Sequence, residues 1–137
     1  MKLKLNKVQG TFGMQAENED GQTMNFDANS EIGGEGFGVR PMEAVAASLA
    51  ACASIDVLLI LKKQRIVLED YQVDISANRQ DAVPALFDNI NLTYSFTGTD
   101  EKEKIQRAVD LSMEKYCSVS KILEPTCKIT YTINLID

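Results

Sequence analysis

The sequence predicts a single α+β domain spanning residues 1–137, and three observations carry that expectation. Short segments of period-two alternation open the chain, one long and almost uncharged helix fills its middle, and two more alternating strands, a helix pair and a last strand follow. No βαβ alternation is expected.

Leu3 and Leu5 alternate with lysines, then Phe12, Met14 and Ala16 alternate with small or polar residues, which predicts two strands turning at "VQGT". Asp20-Gly21 in "NEDGQ" is a two-residue hairpin signal leading into "TMNFDA", so the first third should be an antiparallel meander. Four glycines in "EIGGEGFGV", Glu31 to Val39, then predict a mobile loop without a regular element.

Pro41 suits the first turn of a helix, Glu43 its positive end, and Lys62, Lys63 and Arg65 its negative end. Between Ala44 and Leu61 the only polar residues are Ser48, Ser54 and Asp56, so this central helix should be buried on most sides. Its first half is mostly alanine, Asp56 interrupts it and no second span exists, so it is expected to be a core helix with no membrane as partner. Its apolar circumference predicts an obligate homodimer, because one small domain cannot cover every face.

"YQVDISA" places Tyr71, Val73, Ile75 and Ala77 on one face of a strand, and "FDNINLTYSFTG" turns Ile90, Leu92, Tyr94 and Phe96 inward. "TDEKEKIQRAVDLSMEKYC" opens on a Thr99 or Asp100 cap, and Ile105, Ala108, Val109, Ser112 and Tyr116 recur at helical spacing. A short helical turn, "SVSKILE", precedes Pro125, and "CKITYTINLI" puts Cys127, Ile129, Tyr131, Ile133 and Leu135 on one face of the terminal strand.

A net charge of −6 argues against nucleic acid as a partner, since phosphate binding needs clustered Lys and Arg. "MKLKLNKVQG" alternates from the start and is no secretory leader, which makes the cytoplasm the expected compartment. There Cys52, Cys117 and Cys127 are expected to be reduced, catalytic or buried. The chain has no histidine, which removes Cys-His and Ser-His-Asp catalysis and most zinc sites. "GEGFG" lacks the third spaced glycine of a dinucleotide fingerprint and any following Lys-Ser/Thr, while "ENED" and "DEKEK" offer too few converging ligands for a metal. No cofactor and no metal are expected.

A thiolate needs a positive neighbour or a helix N-terminus. Cys52, mid-helix with Asp56 one turn later, reads from its own context as a packed small hydrophobe. Cys117 stands where one helix ends and a short turn begins, near backbone N–H groups that would favour a thiolate. Cys127 reads as core.

"RPMEAVAASLAACASIDVLLILKK" and "RAVDLSMEKYCSVSKIL", with the strand order across essentially the whole chain, resemble the OsmC/Ohr superfamily of osmotically induced and organic-hydroperoxide-resistance proteins. The resemblance implies an intertwined α+β homodimer and a site at the subunit interface. It also implies thiol peroxidase chemistry: Cys52 attacks an organic hydroperoxide, a small apolar substrate, and Cys117 resolves the sulfenic acid as a disulfide that a thiol reductant reopens. Their Cα atoms should then lie within about 7 Å, with Cys127 remote.

In peroxidase members an N-terminal Arg activates the Cys and a Glu fixes that Arg. No Lys or Arg lies between Lys7 and Arg40, so Arg40, directly before the helix, becomes the candidate cation and Glu43 the candidate acid. Glu43 stands nine residues before Cys52, where such members carry the acid ten before, a position that Met42 occupies. Nine residues on one helix mean about 13 Å of rise and roughly opposite faces, so Glu43 should reach Cys52 only across a dimer. These departures place the chain nearest the less characterised OsmC-like branch. The alternative function is a dimeric binding protein that keeps an apolar interface pocket without efficient chemistry.

Overall fold

A computed structural model describes every residue from Met1 to Asp137. The chain divides into two compact units, Met1–Val45 and Ala46–Asp137.

In the first unit, strands β1 (Leu3–Gln9), β2 (Gly13–Asn18) and β3 (Thr23–Phe26) form the expected antiparallel meander in that order. The β2–β3 turn falls at the Asp-Gly pair but is longer than the two-residue hairpin that the pair predicts: pairing ends at Glu17↔Thr23, Gly21 alone takes a positive φ (80°), and the Asn18 carboxamide oxygen closes the loop by accepting from Asp20 N at 3.0 Å and Gln22 N at 2.9 Å. Every residue of β1 is exposed within this chain.

The glycine segment after β3 is not the mobile loop that its composition predicts. A 3-10 turn forms at Ser30–Ile32, and Asp27 N donates to Val39 O at 3.0 Å. The buried Asp27 carboxylate gathers the backbone N–H groups of Ala28 (2.7 Å), Glu35 (3.0 Å) and Phe37 (3.0 Å), which hold it below the usual carboxylate range. The glycines serve close approach, since a Cβ at Gly38 would run into the backbone of Asn25 and Phe26.

Helix α1 (Pro41–Lys63) begins in the first unit and continues into the second. It is long and apolar enough to cross a membrane by length and composition, a test that core helices also pass. Pro41 sits at its first position and Glu43 reaches back to accept from Arg40 N at 2.9 Å, the carboxylate half of a capping box. In the second unit Leu49, Ala53, Val57 and Leu61 form its buried stripe. Burial on most sides is not what a single chain achieves: Ile55 remains 68% exposed and Leu59 48%. The helix ends in a Schellman arrangement, with Ile66 N donating to Leu61 O and Arg65 N to Lys62 O around Arg65 at φ 61°.

Strands β4 (Asp70–Arg79), β5 (Phe87–Thr97) and β6 (Lys128–Ile136) make a second sheet in the order β4-β5-β6. β4 pairs antiparallel with β5 through Tyr71↔Phe96 and Val73↔Tyr94, whereas β5 pairs parallel with β6 through Ile90↔Ile129 and Tyr94↔Ile133. The chain therefore contains one βαβ crossover that alternation alone does not reveal, because a helix pair rather than one helix spans it. Ile90, Leu92, Tyr94 and Phe96 on the central strand are fully buried as expected, and Tyr71 packs on Phe96 with ring centroids 5.1 Å apart.

The crossover comprises α2 (Lys102–Leu111), a π-turn (Ser112–Tyr116) and α3 (Ser118–Leu123). Glu101, not Thr99 or Asp100, is the residue at the helix N-cap; Thr99 Oγ1 accepts from Glu101 N at 3.3 Å one step earlier. Tyr116 does not continue the buried face of Ile105, Ala108, Val109 and Ser112. The π-turn inserts an extra residue per turn, so Met113 and Cys117 face inward and Tyr116 is left 49% exposed.

Arg65 occupies a left-handed position where glycine has no steric penalty. Arg65→Gly should raise stability by about 0.5–1 kcal/mol in urea titration, the relief of strain exceeding the added freedom of the unfolded chain.

Candidate active site

Two of the three cysteines meet. Cys52 lies on α1 at the flank of the buried stripe and is half-buried, while Cys117 is wholly buried between the π-turn and α3. The thiols interact: the Cys52 side chain is a hydrogen-bonding partner of Cys117 and makes its ionisation harder. Both are free thiols, as is Cys127, which is buried at the foot of β6.

Local geometry explains why Cys117 points at α1. The π-turn closes with Cys117 N donating to Ser112 O at 2.8 Å, five residues back, which rotates the chain past Tyr116 and presents the sulfur. Cys117 then caps α3, its Sγ accepting from Ser120 N at 3.4 Å. The Ser112 hydroxyl, itself buried, donates to Ala53 O at 3.0 Å, next to Cys52 in α1. Ser120 Oγ donates to Met113 O at 3.4 Å and Tyr94 O–H to Met113 Sδ at 3.6 Å, which ties the π-turn to α3 and to β5.

The backbone N–H groups expected to favour a Cys117 thiolate are present, and they are outweighed. Burial pushes the Cys117 thiol up to about 11, the Ser120 and Val119 amides oppose it, and the neighbouring Cys52 adds to the rise. No lysine or arginine figures among the groups acting on it. Burial also raises Tyr94, which feels Tyr71 and Cys117 as like charges, and raises Tyr71 to about 12 despite its 2.8 Å bond to Ser54 Oγ.

The other two candidates sit in the first unit and pair with each other. Arg40 NH2 and Nε donate to Glu43 Oε1 at 2.8 and 3.2 Å, and the pair is about half exposed. Arg40 holds the Glu43 carboxyl below its ordinary range. Asp56 is half-buried and forms no ion pair. No three His, Cys, Asp or Glu side chains converge as a metal would require. Sequence periodicity missed the role of Ser112, since a five-residue step to Cys117 belongs to no regular helix.

A family model described as OsmC-like protein matches residues 33–132. The chain belongs to the OsmC family. This OsmC-like chain is 42% identical over 97 residues to Protein YhfA of Escherichia coli (strain K12), covering 70% of the chain and 72% of that protein. A crystallised protein of Aquifex aeolicus VF5 is similar over 99% of the chain and 97% of its own length, at 27% identity and a TM-score of 0.81. An organic hydroperoxide resistance protein OsmC from Legionella pneumophila shares the fold, with a TM-score of 0.70 at 21% identity over 98% of the chain and 97% of that protein.

The raised Cys117 pKa has a consequence for alkaline stability. Above about pH 8.5 the unfolded chain releases this proton. The folded chain keeps it until about pH 11, so stability falls as pH rises between those values. Cys117→Ser should make that alkaline decline shallower by up to about 1.4 kcal/mol per pH unit, read from urea midpoints across the window.

Proposed function

We propose that this protein is a thiol-dependent redox protein that reduces organic hydroperoxides through Cys52 and Cys117. The observation that carries the reading is the contact of a half-buried thiol with a wholly buried one. Cys52 is the sulfur a substrate can reach, and Ile55 and Leu59, at i+3 and i+7 from it, extend an exposed apolar face suited to an alkyl group. The fold shared with a protein named for organic hydroperoxide resistance supports the same reading.

In the first step the Cys52 thiolate attacks the hydroperoxide, the O–O bond breaks, the alcohol leaves with a proton, and sulfenic acid remains. In the second, Cys117 sulfur attacks the Cys52 sulfur, the S–O bond breaks, and water departs with the Cys117 proton. A dithiol reductant of the cytoplasm then reopens the disulfide by exchange. Arg40, held by Glu43 in one chain, would serve as activating cation for the partner's Cys52 in a homodimer.

The absence of any cation acting on Cys117 favours a second reading, a dimeric binding protein for an apolar small molecule that lacks efficient chemistry. Consumption of cumene hydroperoxide with a dithiol reductant separates the two. Turnover should fall to the level of free thiol in buffer in Cys52→Ser, and one equivalent of peroxide should link Cys52 to Cys117 and leave Cys127 free. Equal slow rates in the wild type and Cys52→Ser would establish the binder instead.

The exposed Ile55, Leu58 and Leu59 of α1, and a first sheet whose β1 buries nothing in its own chain, support assembly with a second copy. Sedimentation at micromolar concentration should show a particle of twice the 15.1 kDa chain mass, and a compact species of single-chain mass would remove the claim.

A further inference from the structure

We infer that Ser112 is the positioning residue of the thiol pair, tying the backbone of Cys117 to the turn of α1 that carries Cys52. The inference deepens the proposed function and rests on it for the redox role, but its geometry stands alone. Ser112 makes two hydrogen bonds that point in opposite directions: its carbonyl accepts from Cys117 N at 2.8 Å, and its hydroxyl donates to Ala53 O at 3.0 Å. Ala53 follows Cys52 directly. A single residue thus connects the chain segments of both sulfurs, one through the π-turn and the other across the helix contact.

Two features mark the arrangement as more than packing. First, the hydroxyl is not needed to satisfy Ala53, whose carbonyl lies inside the continuous helix α1 and has its own i+4 partner there. The bond is an addition, and it reaches the α1 turn beside the half-buried thiol. Second, the five-residue closure of the π-turn is rare, and insertions of this kind concentrate at functional sites. Here its effect is specific: an uninterrupted α-helix would carry Tyr116 on the buried face, and the inserted residue brings Cys117 there instead. Ser112 is wholly buried, so its bond to Ala53 has no competition from water.

Disulfide formation from these two thiols joins sulfur to sulfur and releases two electrons and two protons. Oxidised glutathione can take both, becoming two molecules of glutathione, without any hydroperoxide. The equilibrium against glutathione buffers therefore measures how well the folded chain holds Cys52 and Cys117 together. It reads this whether or not the protein is a peroxidase, so failure here and failure of the peroxidase reading are distinguishable.

In glutathione redox buffers, Ser112→Ala should lower the equilibrium constant for the Cys52–Cys117 disulfide about tenfold, a potential about 30 mV less negative. Ser112→Thr, which keeps the hydroxyl, should lie near the wild type. Val109→Ala, a truncation at a fully buried position of the preceding helix α2, controls for general loosening and should leave the potential in place. Should Ser112→Ala fail to fold by circular dichroism, Ser112→Thr and Ser112→Val make the same comparison, differing only by hydroxyl against methyl. An unchanged potential in the variant without the hydroxyl, or an equal shift in Val109→Ala, would overturn the inference.

Discussion

The π-turn at Ser112–Tyr116 is the constraint on which the rest of the site depends. Up to Leu111 the second helix obeys the 3.6-residue rule, burying Ile105, Ala108 and Val109. One extra residue in the following turn shifts the inward position to Cys117 and leaves the chain extended there, at φ −69° and ψ 105°, so that the same residue can end one helix and cap the next. A regular helix would deliver an aromatic ring where the sulfur now stands. The parallel return of β6 beside β5 brings Tyr131 edge to face with Tyr94 at 6.4 Å, and the Tyr94 hydroxyl in turn donates to Met113 Sδ in the π-turn.

Electrostatics within the pair runs against a simple reading of helix ends. Amides at the start of α3 donate toward Cys117, which is the arrangement that lowers thiol pKa values in exposed sites. Here the sulfur is wholly buried, and desolvation of the charged form outweighs two weak N–H donors. A thiol held neutral is poorly suited to attack peroxide first. It is suited to second place, because its proton leaves with the departing water. The difference in burial between Cys52 and Cys117 is thus consistent with the order of steps proposed for them.

Much of the fold is legible in the sequence, and the gaps have physical causes. Alternation in Ile90, Leu92, Tyr94 and Phe96 is strict because β5 is the central strand, while the second half of β4, an edge, is exposed on both faces and its pattern carries less information. The Asp20-Gly21 turn and the Pro41 start are local chemistry and were accessible to reading residue by residue. The glycine segment misleads because its order is imposed by Asp27, whose three N–H partners lie up to ten residues away. The helix face fails at Tyr116 because a π-turn has no signature in hydrophobic spacing. Of the candidate site residues, Cys52 and Cys117 are brought together as the family resemblance implied and as the helical context of Cys52 alone did not, while Arg40 and Glu43 are joined to each other by a capping interaction that the spacing Arg-Pro-Met-Glu already contains.

That capping interaction also orients the Arg40 side chain. Glu43 satisfies the Arg40 backbone N–H and two of its guanidinium donors at once, so the Arg40 fork is oriented while its remaining donors stay in solvent. An exposed Arg–Glu pair contributes little to stability by itself, and the contact with the Arg40 backbone N–H caps the start of α1. The exposed apolar face of α1 supplies the complementary half of this argument. Ile55, Leu58 and Leu59 lie on the helix that Arg40 directly precedes, and burying them against a second copy would remove water from the surroundings of Cys52. Under the proposed function, excluding water there would strengthen the hold of any cation on a thiolate, since charges interact more strongly at low dielectric.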